Sequence, residues 1–153
     1  MLAEKLEDLE IPQQLVGFRI GDDLFGISVL GVQEVIRPQK LTSVPLSDRY
    51  IKGLINLRGQ VVTAINLREL LGYENEYPQS HMNVIVNGKA SLYAIAVDEI
   101  LDVIEVEKEF FELTPQNLDK SVSQYSSGVY KLNDSLMTVL SVDGILKEKS
   151  ATP

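Results

Sequence analysis

The chain has 153 residues, of which 14 are basic and 22 are acidic, so its net charge is −8. No run of Lys and Arg could match a nucleic-acid backbone or an anionic membrane surface. No apolar run approaches the roughly 20 residues that span a bilayer, and the chain has no Cys for disulfides or thiolate sites. A cytoplasmic protein without nucleic-acid binding or direct membrane insertion is therefore expected.

The first part of the chain has the pattern of short β-strands. Residues 1–12 are interpreted as a tail, because so short a stretch makes a marginal helix. Leu15–Ile20 is predicted as a strand, and Gly21–Asp23 as a turn. Leu24–Val29 alternates apolar side chains on one face, as a strand does, and Val32–Ile36 is a further β-rich run.

A hairpin followed by a short helix is predicted next. Two apolar runs flank Arg58 and Gly59, and Gly59 tolerates the positive φ of a tight turn. The apolar spacing then changes from two residues to three and four over Leu67–Leu71, which indicates a helix. Asn66 is a candidate N-cap and Gly72 a candidate C-cap. Arg58 is therefore expected at the tip of a hairpin.

The second half of the chain repeats the first. Leu92–Val97 resembles Leu24–Val29, which lies 68 positions earlier. Gly128–Leu146 then matches Gly53–Leu71 at an offset of 75. The offset grows by seven positions, so the second half carries an insertion before its closing segment. Two copies of this length are typical of paired subdomains, not of a solenoid.

The repeat predicts an all-β fold with about five short strands in each half. The halves, about 15–72 and 82–146, are separated by the polar segment 75–80. Each half alone is near the size at which a core becomes marginal, so the halves should share an interface and could exchange strands. Curled sheets of this size close into barrels to limit exposed edges. We expect a single domain over 13–147, followed by a tail over 148–153.

Few residues suggest catalysis. The only histidine, His81, has no strong base or thiol near it in the sequence, so a surface histidine is favoured over a catalytic one. Asp98 and Asp143 come from opposite halves but lack the Asp-Thr/Ser-Gly sequence of an aspartic-protease dyad. Neither glycine-rich phosphate motif occurs. A solvated strand face is favoured over a metal site for the acidic positions Asp98, Glu99, Asp102, Glu105, Glu107 and Glu109.

Arg58 and Glu34 differ from their counterparts in the repeat. The equivalent positions in the second half hold Asn133 and Asp102. The fold therefore tolerates an uncharged residue at the arginine position. Two interpretations remain open: Arg58 is an ordinary surface charge worth little to stability, or it is a recognition residue present in one half only.

The segments around the hairpin resemble the CheW-like chemotaxis coupling proteins. Gly53–Gly59, GLINLRG, followed by a β run and by Leu67–Arg68, closely matches the signature of that family. Val32–Val35 and Gly128–Leu146 match as well, and the resemblance extends over roughly 15–146. The family usually has Pro in place of Thr63 and Asp in place of Asn66. These departures leave the taxis pathway open.

The resemblance implies two SH3-like five-stranded β-barrels, with neither catalysis nor a cofactor or metal. It implies an adaptor that joins the cytoplasmic tip of a chemoreceptor, bound in a groove between the barrels, to the regulatory domain of a CheA-type histidine kinase. Glu34 and Arg58 match a charged pair typical of the family, for which a bidentate contact is expected. The partner-binding positions carried over are Val29, Val32, Glu34, Gly53, Arg58, Ile100 and Val103. An SH3-like two-barrel peptide-binding scaffold of another signalling pathway is the alternative function.

Overall fold

A computed structural model describes residues 11–74 and 76–147, which consist mainly of short β-strands. The first half contains β1 (Gln14–Ile20), β2 (Asp23–Ser28), β3 (Val32–Ile36), β4 (Ile51–Leu57) and β5 (Gln60–Ile65). The second half contains β6 (Met82–Asn87), β7 (Leu92–Val97), β8 (Glu99–Glu105), β9 (Phe111–Glu112), β10 (Ser126–Lys131) and β11 (Leu136–Leu140). The all-β prediction is confirmed. Apart from residues 11 and 12, the two predicted tails lie outside the described residues.

Three helices of four or five residues are also described: α1 (Leu67–Leu71), α2 (Lys120–Ser123) and α3 (Val142–Leu146). The predicted caps of α1 are confirmed. The Asn66 side chain accepts a hydrogen bond from the Glu69 N–H at 3.1 Å, and Gly72 ends the helix with a φ of 83°. Within 11–74 and 76–147 no helix has the length and apolar character needed to cross a membrane.

The strands form two sheets with the orders β8-β1-β2-β11-β10-β9 and β3-β6-β7-β5-β4. The six-stranded sheet combines the β1–β2 hairpin of the first half with strands of the second half. The five-stranded sheet combines the β6–β7 hairpin of the second half with strands of the first half. Where the halves meet inside a sheet, β2 runs parallel to β11 and β5 runs parallel to β7. The other described strand pairs are antiparallel. Exchanging the halves reproduces the strand order, so the sequence repeat is also a repeat of topology.

One sheet has six strands because β9 adds a short edge to β10. In the five-stranded sheet an isolated bridge between Thr42 and Leu54 takes the equivalent place. The repeat-related glycines Gly53 and Gly128 face these edges with φ angles of 149° and 158°. A Cβ on either would lie 2.6 Å from a backbone oxygen of the edge segment. Glycine at these positions therefore lets the edge approach and close each barrel.

The largest hydrophobic cluster lies between the two sheets. It has sixteen buried residues, whereas the clusters inside the five- and six-stranded barrels have seven and five. The stacked rings of Phe18 and Phe25, 5.7 Å apart, enter it from one sheet, and Ile65 and Ile95 enter it from the other. Most apolar burial therefore holds one barrel against the other, and each barrel contributes a smaller core of its own.

Candidate functional site

The hairpin between β4 and β5 has Arg58 and Gly59 as its two-residue turn. Both have positive φ angles, 53° and 87°, as a type I′ turn requires. The Asn56 side chain accepts a hydrogen bond from the Gly59 N–H at 2.9 Å. The predicted hairpin is confirmed, and its backbone holds Arg58 in a conformation that non-glycine residues seldom adopt.

Arg58 forms an ion pair with Glu34 across the seam of the five-stranded barrel. Its Nη2 donates to the Glu34 Oε2 at 2.5 Å, and the two side chains are 66% and 29% exposed. This hydrogen bond and the charge of Glu34 raise the pKa of Arg58. Glu34 lies on β3 and Arg58 follows β4, the opposite edges of the sheet. The structure has one contact in place of the expected bidentate pair.

Apolar side chains on the edge strands β3 and β8 extend the core between the sheets to the surface. Their cross-strand partners are all buried in that core, and residues paired directly across strands share one face of a sheet. The pairs are Val32 with Val86, Val35 with Val84, Ile100 with Phe18, and Val103 with Val16. Val32 and Ile100 are half-buried, whereas Val35 is 37% and Val103 is 55% exposed.

We call Val29, Val32, Val35, Ile100 and Val103 the β3/β8 surface. The predicted strand over Leu24–Val29 ends one residue early, and Val29 begins a 3₁₀ turn. Val29 remains half-buried against the core between the sheets. Three of the predicted positions, Val29, Val32 and Ile100, therefore border the same cluster, and Val103 continues their face beyond it.

Gly53 differs from the other predicted positions because it is buried. It has no side chain to offer a partner, and the space around it is taken by the Thr42 backbone. Its repeat mate Gly128 makes the same kind of approach to β9. The structure therefore gives Gly53 a packing role that both barrels share.

Val35 was missed by the sequence reasoning. It lies 68 positions before Val103, so the repeat relates the two valines, and each is paired with a buried core residue. That offset alone could have identified Val35 once Val103 had been selected. The resemblance to the family did not identify Val35, because it selected positions of each half separately.

Arg68 and Asp98 link the two sheets near this surface. The Arg68 Nε donates to the Asp98 Oδ1 at 2.9 Å, and Nη2 contacts Oδ2. The Gly21 N–H, from the β1–β2 turn of the other sheet, donates to Oδ2 at 2.8 Å. Burial alone would raise the pKa of Asp98, but these donors outweigh it and hold the pKa below its usual value. Asp98, predicted as part of a solvated acidic face, is instead a structural link between the barrels.

The other residues considered for chemistry also have identifiable surroundings. His81 is half-buried, with its Nδ1 2.7 Å from the Pro78 carbonyl oxygen and its ring 5.2 Å from that of Tyr77. Asp143 is exposed on α3 and lines a different pocket from Asp98. In the described part of the chain, no three His, Cys, Asp or Glu side chains are grouped to hold a metal.

Comparison with known proteins identifies the family. The CheW-like domain matches residues 14–150. The chemotaxis protein CheW of Helicobacter pylori is 31% identical over 147 residues, which cover 95% of this chain and 88% of that protein. CheW of Treponema pallidum is 30% identical over 141 residues, covering 89% and 83%.

A solved structure shows the same fold. The crystal structure of the scaffolding protein TtCheW from Thermoanaerobacter tengcongensis matches with a TM-score of 0.77 at 24% identity. The match covers 86% of this chain and 90% of that one. The family resemblance of the sequence is therefore confirmed, and the chain belongs to the CheW-like family of chemotaxis coupling adaptors.

Proposed function

We propose that this protein joins the cytoplasmic tip of a chemoreceptor to the regulatory domain of a CheA-type histidine kinase, without catalysing a reaction. The observation that carries the proposal is the β3/β8 surface, an apolar margin of the core between two barrels. Glu34, which holds Arg58, lies on its strand β3. Membership of a family of chemotaxis coupling adaptors supports it. Binding to a receptor at its cytoplasmic tip places the protein in the cytoplasm.

The apolar surface suits a helical partner. An amphipathic helix inserts side chains at spacings of three and four residues into an apolar groove. Val32 and Ile100 are half-buried and fixed by the core, while Val35 and Val103 leave apolar area uncovered. We infer that β3 and β8 form the two walls of one groove, with the more exposed valines available to the partner.

The ion pair suits recognition at the rim. Arg58 is mostly exposed, yet the turn fixes its backbone and Glu34 holds its guanidinium. A charge that is already positioned loses less conformational entropy when it meets a partner. It also orients the partner, because charged groups at the rim of an interface favour one docking geometry over others.

Two aspartate substitutions, one at a valine and one at a leucine of nearly equal exposure, test the proposal. Val103 on the β3/β8 surface is 55% exposed, and Leu136 on β11 is 54% exposed. Val103→Asp should weaken binding of a purified receptor tip by at least about tenfold, because a carboxylate would be desolvated against apolar groups. Binding of the kinase regulatory domain should be retained. Titration calorimetry with each partner, and thermal unfolding of each variant, make the measurement.

Leu136→Asp is the control, because it places the same carboxylate at the same exposure outside the β3/β8 surface. Equal effects of the two substitutions on receptor binding would contradict the proposed groove. A protein that bound neither a receptor tip nor the kinase domain would instead favour the alternative, a two-barrel scaffold of another pathway. No contact among the described residues favours that alternative.

A further inference from the structure

The sequence repeat relates two pockets on opposite barrels. Phe25 on β2 corresponds to Tyr93 on β7, and Leu71 at the end of α1 corresponds to Leu146 at the end of α3. Phe25 and Leu71 line one pocket, and Tyr93 and Leu146 line the other. The two pockets are therefore formed in part by equivalent strands and helices, so the residues that line them can be compared directly.

Next to Phe25 the chain provides its own aromatic cover. After α1, the Tyr73 ring lies edge-on to Phe25 with centroids 6.4 Å apart, and the Tyr73 hydroxyl donates to Asp23. The Tyr77 hydroxyl accepts from the Arg68 N–H at 2.9 Å and donates to the Ala96 oxygen at 3.1 Å. We call residues 73–78 the strap. Phe25 is fully buried, and Tyr73 is the strap tyrosine that lines its pocket.

Next to Tyr93 the described chain leaves a cavity of about 530 Å³, larger than the cavity of about 370 Å³ beside Phe25 and Tyr73. Tyr93 is only half-buried, and none of the described aromatic rings contacts it. The positions equivalent to the strap are 148–153, with the sequence EKSATP, which contains no aromatic residue. The second pocket therefore has an aromatic ring and a leucine at the positions of Phe25 and Leu71, but the chain has no tyrosine at the position equivalent to Tyr73.

The polar surroundings of the second pocket match an acidic segment. Ser91 stands at the position equivalent to Asp23, where a hydroxyl can take the hydrogen bond of a tyrosine. Lys89 and Lys147 line the pocket and are exposed, with Asp143 the one described acidic residue beside them. The strap itself, YENEYP, carries two glutamates. Lysines at the rim would attract a segment of that composition.

We propose that the pocket over Tyr93 binds an acidic peptide segment carrying a tyrosine, supplied by a partner protein, in the way that Tyr73 packs against Phe25. The partner's ring packs against Tyr93 and Leu146, and its carboxylates face Lys89 and Lys147. This site is separate from the β3/β8 surface, so it gives the adaptor a further point of attachment.

The synthetic peptide YENEYP is the probe, titrated into the full chain and followed by the amide resonances of Gly88, Ser91 and Gly144. Saturable shifts at these three residues are expected. The peptide AENEAP, which keeps both carboxylates, should produce none of them, because the ring supplies most of the buried area. The double variant Lys89→Glu and Lys147→Glu should weaken binding several-fold, and both substitutions are at exposed positions that leave the fold intact.

Several outcomes would overturn the proposal. In the free protein, contacts in a nuclear Overhauser spectrum between the Tyr93 ring and residues 1–10 or 148–153 would identify the chain's own tail as the occupant. Shifts that depend on protein concentration without peptide would identify a second copy. Shifts confined to Phe25 and Tyr73 would mean that the peptide only displaces the strap. Equal binding of AENEAP, or no saturable shift, would show that the pocket does not recognise tyrosine.

Discussion

The two barrels close their seams by different chemistry. The five-stranded barrel joins its edges through the exposed Arg58–Glu34 pair. In the six-stranded barrel the buried Tyr130 hydroxyl accepts from the Glu107 N–H at 2.9 Å and donates to the Glu105 oxygen at 3.4 Å. The repeat places Ile55 where the other barrel has Tyr130. The six-stranded barrel therefore closes with the uncharged Asn133 at the position equivalent to Arg58. The charge of Arg58 is not required for closing a barrel of this fold.

Features that both barrels share indicate what the fold itself requires. Gly53 and Gly128 both admit an edge segment, and Asn66 and Ser141 both cap the following helix through a side-chain oxygen. The fold requires these contacts, because both copies of the repeat keep them although the rest of their sequences differ. The repeat thus separates positions that build a barrel from positions that belong to one barrel alone.

The largest expected effect concerns a shared position. Gly128→Ala would place a Cβ 2.6 Å from the Glu112 carbonyl oxygen and 2.5 Å from the Phe111 ring. The backbone must shift to relieve this contact, so we expect a loss of about 3 kcal/mol in the free energy of unfolding. Denaturant titration measures it. Gly59→Ala is the control, since it has positive φ but no atom within 4 Å, and it should cost about 1 kcal/mol. Equal losses would show that edge contact is not the cause.

Local elements of this fold could be predicted from the sequence. The hairpin at Arg58 and Gly59 has apolar runs on both sides, and α1 has caps at Asn66 and Gly72, so each is specified by neighbours in the chain. The composition of the sheets could not be predicted. The repeat offsets of 68 and 75 are compatible with two arrangements. Each half could form its own sheet, or each half could contribute its first hairpin to the sheet of the other.

Contacts between segments far apart in the chain could not be predicted from the sequence either. Arg68 on α1 and Asp98 after β7 are 30 positions apart, and Gly21 completes the site from the other sheet. From the sequence, Asp98 is assigned to a solvated acidic face, and nothing relates it to Arg68 or Gly21. Of the candidate site, the Glu34–Arg58 pair and four of the five residues of the β3/β8 surface were selected through the family resemblance. Val35 was not, although the repeat relates it to Val103.

Asp98→Asn tests the link between the barrels. The substitution leaves the nearly buried Arg68 without its full counter-charge, so we expect a loss of about 2 kcal/mol at pH 7. Chemical denaturation measures it. Asp143→Asn, at an exposed position on α3, is the control and should change stability by less than about 0.5 kcal/mol. Similar losses of stability in the two variants would show that Asp98 does not link the barrels.

The same residue predicts a pH dependence. The pKa of Asp98 in the folded protein is lowered, so its ionised form stabilises the fold above its unfolded pKa of about 3.9. That contribution is lost as the pH falls through the lower folded pKa. The stability difference between the wild-type protein and Asp98→Asn should therefore shrink when denaturation is repeated below pH 4. A difference that stays constant over that range would contradict the assignment.

Tyr130→Phe is expected to have a smaller effect. Loss of the hydroxyl leaves the Glu107 N–H without its described acceptor and should cost about 1 kcal/mol. Tyr93→Phe is the control, because the Tyr93 hydroxyl makes no hydrogen bond within residues 11–74 and 76–147. If both variants lose the same stability, the seam of the six-stranded barrel depends on packing of the ring and not on its hydroxyl.

Arg58→Ala should have the smallest effect on stability and a large effect on coupling. The side chain is mostly exposed, and the six-stranded barrel closes with Asn133 at the equivalent position, so the thermal midpoint should not change measurably. Receptor control of the kinase should nevertheless be lost. Arg58→Lys, which keeps the charge but not the planar guanidinium, is the matched variant, and it should restore coupling only in part.

A double-mutant cycle then decides whether Glu34 and Arg58 act together. Receptor affinity and kinase activation are measured for Arg58→Ala, Glu34→Gln and the combined variant. If Glu34 serves to hold the guanidinium in place, the combined variant should lose no more than Arg58→Ala alone, because a missing side chain cannot be misplaced. Losses that simply add would mean that each residue contacts the partner independently. If all three variants bind and activate normally, Arg58 is an ordinary surface charge and recognition rests on the apolar β3/β8 surface alone.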